Sequence, residues 1–200
     1  MGRKPVTDST SHAVVGVEMR ARGGRLEAAL SRVEHRRGES LEAALARAMD
    51  IGALSHVEQL ETRVLRDGTL ETAYLGLVRA GVDAPGDWRP AGGRWAPDDG
   101  ELVAAAQARL RAKLSYTNLG FALAPEVFTI SELREVYVAA LGHDVSATNL
   151  QRVLLRRGAL EQVEGHRAPG RTGGRPASLF RFRARRLEVT DEFAALRPPR

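Results

Sequence analysis

The sequence predicts an α+β chain of two unlike units: an α/β sandwich followed by a small unit of two helices and a hairpin. Three observations lead there. Residues 12–78 hold several runs rich in β-branched and small apolar residues, interrupted by one helical segment. Residues 129–158 hold two helical segments marked off by capping residues and glycines. The charge is also divided. Residues 151–186 carry ten Arg against two acids, Glu161 and Glu164, a local charge of +8, while the rest carries 20 basic and 23 acidic side chains, or −3. A mildly acidic body with a basic C-terminal piece points to a polyanionic partner at that end, the alternative being a solvated Arg-rich surface.

Composition narrows the class. Two hundred residues, 43% of them hydrophobic, suffice for one large core or two small ones. Cysteine is absent, which excludes a disulfide scaffold and thiolate zinc sites and suits a reducing cytoplasm. The opening "MGRKPVTDST" has no apolar segment after its basic residues, so no signal peptide is expected. No run approaches the ~18 apolar residues of a membrane span, so a cytoplasmic protein with no membrane partner is expected. The preference for Arg and Ala over Lys suggests a GC-rich bacterial genome.

Along the first half, residues 12–20 read as a strand and "ARGGR" as a turn; residues 26–33 fit strand or helix by pattern alone, and the Gly-Gly turn before them favours the second arm of a hairpin. Residues 40–49 are helical, with Leu41, Ala44, Leu45 and Ala48 on one face. Strands are predicted over 57–65 and 69–78 around the turn "RDG", then a Pro/Gly loop and a short strand at 94–96. Trp88 and Trp95 flank that loop and can line a pocket or pack in a core, the second being the better account. Residues 101–114 form a helix that joins the two units.

The second half is punctuated more sharply. Thr129 to Glu132 is a capping box that starts a helix with Ile130, Leu133, Tyr137 and Leu141 on one face, and Gly142 is placed to end it. After "GHDV", Ser146 caps a second helix whose Leu150, Val153 and Leu154 point inward and which Gly158 stops. Strands follow at 159–163 and 177–183, joined by a Gly/Pro/Arg loop over 164–176. Helix, tight turn, helix and hairpin make a winged helix-turn-helix. The boundaries expected are 1–100 for the first unit, 101–116 for the linking helix, 117–186 for the winged helix and 187–200 for a tail whose "RPPR" end frays.

The second helix then has the place of a DNA-recognition helix. Its outward stripe holds Thr148, Gln151, Arg152, Leu155 and Arg156. Gln pairs bidentately with adenine and Arg with guanine, and Leu155 can touch a thymine methyl. Asn149 and Thr148, near the helix start, can contact phosphate or a base edge. Arg167, Arg171 and Arg175 lie on the loop side of the hairpin, where arginines follow phosphates or enter a minor groove, and Arg157 stands beside them. An ordinary amphipathic helix and a merely solvated loop are the competing accounts.

With those residues in place, residues 113–183 resemble the C-terminal half of the Nudix-related transcriptional regulators, the NrtR family. The likeness rests on Phe128-Thr129, Glu132-Leu133, Val136-Tyr137, Asn149 and Gly174-Arg175-Pro176-Ala177. In the first half it rests on element order: hairpin strands, a "GES" helix, "VEQLETRV", "LETAYLGLV" and "GRWAP". The resemblance implies a Nudix-like sandwich joined to a winged helix. It further implies a bacterial repressor that binds double-stranded operator DNA as a homodimer and responds to a nucleotide-type effector such as ADP-ribose.

"GESLEAAL" opens like the metal-binding helix of a Nudix hydrolase, but the continuation departs from that pattern. Nudix chemistry needs Arg-Glu and two further glutamates on one helix face, holding Mg²⁺ or Mn²⁺ against a pyrophosphate. Here Arg47 matches the Arg, while Ala48, Ile51 and Gly52 stand where glutamates belong, and Asp50 is the one acid in the segment. Glu39 and Glu42 read as partners of the helix dipole. The glycine-rich loop before "GES" is absent as well. The five histidines, at 12, 35, 56, 143 and 166, show no metal spacing. The expectation is therefore a degenerate, non-catalytic Nudix-like unit without metal or cofactor; the alternative is residual pyrophosphohydrolysis of a nucleotide diphosphate such as ADP-ribose.

Overall fold

The computed structural model describes residues 11–168 and 176–191. Its first half is built on a five-stranded sheet. Strand β1 (His12–Arg22) turns at Gly23 and Gly24 into the antiparallel strand β2 (Arg25–Glu34). Both glycines have positive φ, 57° and 72°, as a two-residue hairpin loop matched to the strand twist requires. Helix α1 (Leu41–Ala48) follows, then strands β3 (Leu54–Val64), β4 (Leu70–Val78) and β5 (Arg89–Pro90), giving the order β3-β4-β1-β2-β5. β1 is central and runs parallel to β4, which accounts for its near-continuous apolar run.

The two faces of this sheet are covered unequally. On one face, Val14 packs under Ala44, Leu45 and Met49 of α1 and the turn after it. Met49 lies across two glycines on adjacent strands. A Cβ on Gly16 would meet Met49 Cγ at 2.3 Å, and one on Gly76 would meet its Cε at 2.4 Å. The other face, carrying Val15, Val17, Met19, Ala28, Leu75 and Leu77, packs on helix α2 (Pro97–Tyr116) through Leu102, Val103, Ala106, Leu110 and Leu114. α2 begins at Pro97, one turn earlier than its apolar stripe suggests, because Pro is favoured in the first turn and Asp98 and Asp99 complement the dipole. Its start is tied to the sheet through Glu71. This carboxylate has no exposed surface and accepts from Arg32 Nε and Arg63 Nε, both at 2.9 Å, while the two guanidiniums reach on to Asp99 and to the Asp98 carbonyl.

The short strand expected at 94–96 lies instead at Arg89–Pro90, beside Ala28 and Glu27. Proline is tolerated there because the strand is at the edge of the sheet. Trp95 packs on the main core and donates to the Ala91 carbonyl; Trp88 donates to the Ala84 carbonyl.

The second half follows its local signals closely. Helix α3 (Ile130–Leu141) begins with the complete capping box: Glu132 N–H donates to Thr129 Oγ1 and Thr129 N–H to Glu132 Oε2. It ends at Gly142 with φ 76°. Helix α4 (Ala147–Arg156) is capped by Ser146, and strands β6 (Leu160–Arg167) and β7 (Ala177–Phe182) form an antiparallel hairpin. β6 extends beyond residue 163 by a bulge at which Gly165 has φ 100°. Phe128 exchanges two backbone hydrogen bonds with Phe180, joining the approach to α3 to the hairpin. Phe128, Leu133, Leu154 and Leu160 are buried to 2% exposure or less. Each such side chain contributes roughly 1.5–3 kcal/mol by leaving water. These residues share one core with α2 and the sheet.

Candidate nucleic-acid interface

α4 is amphipathic because its apolar residues recur at the helical period: Leu150 and Leu154 are buried and Val153 half-buried. Opposite them, Thr148, Asn149, Arg152, Leu155 and Arg156 are exposed and Gln151 is half-buried. Arg152 donates to Asn149 Oδ1 at 2.8 Å, which orients the guanidinium over the start of the helix. Leu155, at 40% exposure, is a large apolar side chain left facing water among polar neighbours. A solvated helix gains nothing from such a residue, whereas a groove reader uses one against a base methyl.

Arg157 has a different position. It donates to the Ser115 carbonyl at 2.9 Å and to Asp191 at 2.7 Å, so it braces α4 against the end of α2. Arg167, at the end of β6, is exposed and paired with Glu132 of the α3 capping box. Arg171 and Arg175 lie outside the described residues.

At α1 the charged groups satisfy one another. Arg47 forks onto Glu39, Nε to Oε1 and Nη2 to Oε2, both at 2.8 Å, and also reaches the Glu34 carbonyl. These bonds, with the Arg36 N–H, hold Glu39 at about 2. Glu42 is held below the ordinary value by its own N–H and then by Ser40. Asp50 accepts from the Gly52 N–H at 3.1 Å. Beneath this segment Glu18, 3% exposed, projects from β1; burial first, and then the charge of Asp50, raise it to about 7. Among the described residues no three His, Cys, Asp or Glu side chains converge in a metal-ligand geometry. The donor set does not fit a divalent ion bridging a pyrophosphate: Glu39 is committed to Arg47, and the helix register offers Ala48, Ile51 and Gly52.

Sequence reasoning did not find Glu18, the Glu132–Arg167 contact, or the arginines Arg22 and Arg79 at the ends of β1 and β4. Each depends on tertiary packing between segments distant in sequence, which leaves no mark at fixed spacing.

An exposed, capped second helix backed by a two-stranded wing defines a winged helix-turn-helix unit, here carried on an α/β sandwich. Residues 120–182 match the family model of the NrtR DNA-binding winged helix domain. The ADPR responsive transcriptional repressor NtrR of Acinetobacter baylyi is 35% identical over 85 residues, which are 42% of this chain and 33% of that protein. The chain thus spans about a third of the length of the curated relative it matches. Two crystal structures of Shewanella oneidensis NrtR, one with a 27mer DNA and one without, have the same fold. Each is 23% identical over 86% of this chain and 93% or 94% of theirs, with TM-scores of 0.65 and 0.66 respectively. The expected architecture, an α/β sandwich followed by a winged helix, is the observed one. No helix among the described residues is long and apolar enough to cross a membrane.

Proposed function

We propose that this chain is a sequence-specific DNA-binding transcriptional regulator, a repressor that acts in the cytoplasm as a homodimer on double-stranded operator DNA. Its Nudix-like unit, residues 1–100, dimerises and senses a nucleotide-type effector without catalysing hydrolysis. Residues 101–116 link it to the reader, residues 117–186. The observation that carries this reading is the exposed stripe on α4, whose side chains form one donor-rich and partly apolar surface in a unit that matches a DNA-binding family model.

α4 enters the major groove with Arg152 on guanine, Gln151 on adenine and Leu155 on a thymine methyl. Thr148, Asn149 and Arg156 contact phosphates or base edges, and Arg167, Arg171 and Arg175 follow the backbone from the wing. Arg157 supports the helix from behind. The name of the Acinetobacter relative makes ADP-ribose the first effector to try. Hydrolysis is not favoured, since the helix that would hold metal keeps its charges for itself; divalent-metal-dependent turnover of ADP-ribose would reverse that judgement.

Selection of bound fragments from the source genome tests the proposal. One palindromic site should emerge, with half-sites about one helical turn apart. If about six arginines of a dimer contact phosphates, log affinity should fall with log salt at a slope of about −5. Failure to enrich any sequence would overturn it.

A further inference from the structure

After β7, residues 184–191 run back across the end of α2, where Val189 pairs antiparallel with Thr117. Leu187 and Val189 of this segment are 36% and 55% exposed, so burial is not what holds it. Polar groups do. Asn118, itself buried, donates from Nδ2 to the Arg186 carbonyl at 2.9 Å and accepts from the Glu188 N–H at 2.8 Å, while its own N–H donates to the Glu188 carbonyl. The Tyr116 carbonyl, at the last residue of α2, accepts from the N–H groups of Thr190 and Asp191 and from Thr190 Oγ1. The last carbonyls of a helix have no amide of their own helix to accept from, so the segment takes up groups that α2 leaves open.

The Ser115 carbonyl, one residue earlier, is reached by Arg157. Arg157 is the C-cap residue of α4, and its guanidinium lies between that carbonyl at 2.9 Å and the Asp191 carboxylate at 2.7 Å. Both side chains are largely withdrawn from water, 15% and 22% exposed, so their charge-assisted bond is screened less than ion pairs on open surface. A cation is also favoured at a helix C-terminus, and Arg157 supplies one to α2. Three segments distant in sequence thus meet at one guanidinium: α2, α4 and residues 184–191. Arg152 is about 7.5 Å further along α4. A tilt of the helix at Arg157 therefore moves its outward stripe, and hydrogen bonds weaken steeply as they bend.

We propose that residues 184–191 are a strap that positions the reading helix, with Arg157 and Asp191 as its positioning residues. By fixing the angle of α4 on α2 they set which bases, and which spacing of half-sites, the protein accepts. Neither side chain needs to touch DNA for this. The effect on specificity rests on the DNA-binding reading above; the hold of the strap on α4 does not.

Two arms on the full chain test it. Asp191→Asn keeps the shape and loses the charge; Arg157→Gln keeps a donor and loses the charge. In the first arm, without DNA, amide hydrogen exchange is followed. Exchange in the last turn of α4 and in residues 187–191 should quicken roughly tenfold, with α3 and β1 unchanged. An equal change everywhere, or none in α4, overturns the strap. In the second arm, affinity is measured across salt for the selected operator and for the same operator with one base pair inserted between its half-sites. Both variants should lose roughly tenfold on the operator and less on the lengthened site, so that discrimination between the two shrinks. The salt slope should stay that of the unaltered chain, because no phosphate contact is removed. Unchanged discrimination overturns the positioning role. So does a slope shallower by about 1 per protomer in Arg157→Gln, which would make Arg157 a phosphate contact. If the unaltered chain selects no operator, the proposed function fails, while the exchange arm still decides the strap.

Discussion

α1 and α4 are both short helices capped by serine, yet they treat their polar groups in opposite ways. On α1 the charges are consumed locally: Glu39 by Arg47, Asp50 by the Gly52 N–H. On α4 Arg152 answers only its neighbour Asn149, the side chains of Gln151 and Arg156 have no partner among the described residues, and Leu155 stays uncovered. A helix that answers its own charges is scaffolding. A helix that leaves them unanswered at the surface, on a rigid base, has its partners elsewhere.

The comparison breaks if the α1 region titrates like an exposed surface. Glu18, buried beneath it, has a folded-state pKa of about 7 against an ordinary 4.5. Between those values the native protein keeps a proton that the unfolded chain has released, so stability should be greatest below the window and fall as pH rises through it. The loss should reach about 3 kcal/mol. Urea unfolding at pH 5 and pH 8 measures it, and Glu18→Gln should remove most of the difference. A next, smaller effect concerns α4. Arg152→Ala should cost operator binding roughly 1–3 kcal/mol and relax base preference at one position, with no change in unfolding. In the seat of α1, Gly16→Ala should cost a comparable ~1–3 kcal/mol of stability by displacing Met49, and leave the affinity of the folded fraction for DNA unaltered. Smallest of all, Arg47→Ala should lower the melting temperature slightly and not touch DNA binding, since exposed ion pairs are screened by solvent and contribute little. A large effect of Arg47→Ala on DNA affinity would mean that α1 is more than scaffolding.

Legibility in the sequence followed the range of the interactions. The capping box at Thr129, the left-handed Gly142, the Ser146 cap and the Gly23-Gly24 turn were all readable because each is settled within four residues. The outward stripe of α4 was readable because helical period alone places it. Arg157 reads from the sequence as one more arginine beside the wing, because its partners Ser115 and Asp191 are distant in sequence. The edge strand at Arg89 has too short a pairing to leave a pattern, and the Pro/Gly content around it reads as loop. Glu71, fully buried between two arginines, sits in a strand whose periodicity gives no hint of a carboxylate inside.

The shared core that runs from the sheet through α2 into the winged helix has a mechanical consequence. A chain packed this way lacks a slack joint between its halves, so it should melt in a single calorimetric peak. In the proposed dimer, the distance between the two reading heads is then set at folding, like the jaws of a locked caliper. Such an instrument is adjusted by a shim at the junction, not by swinging an arm.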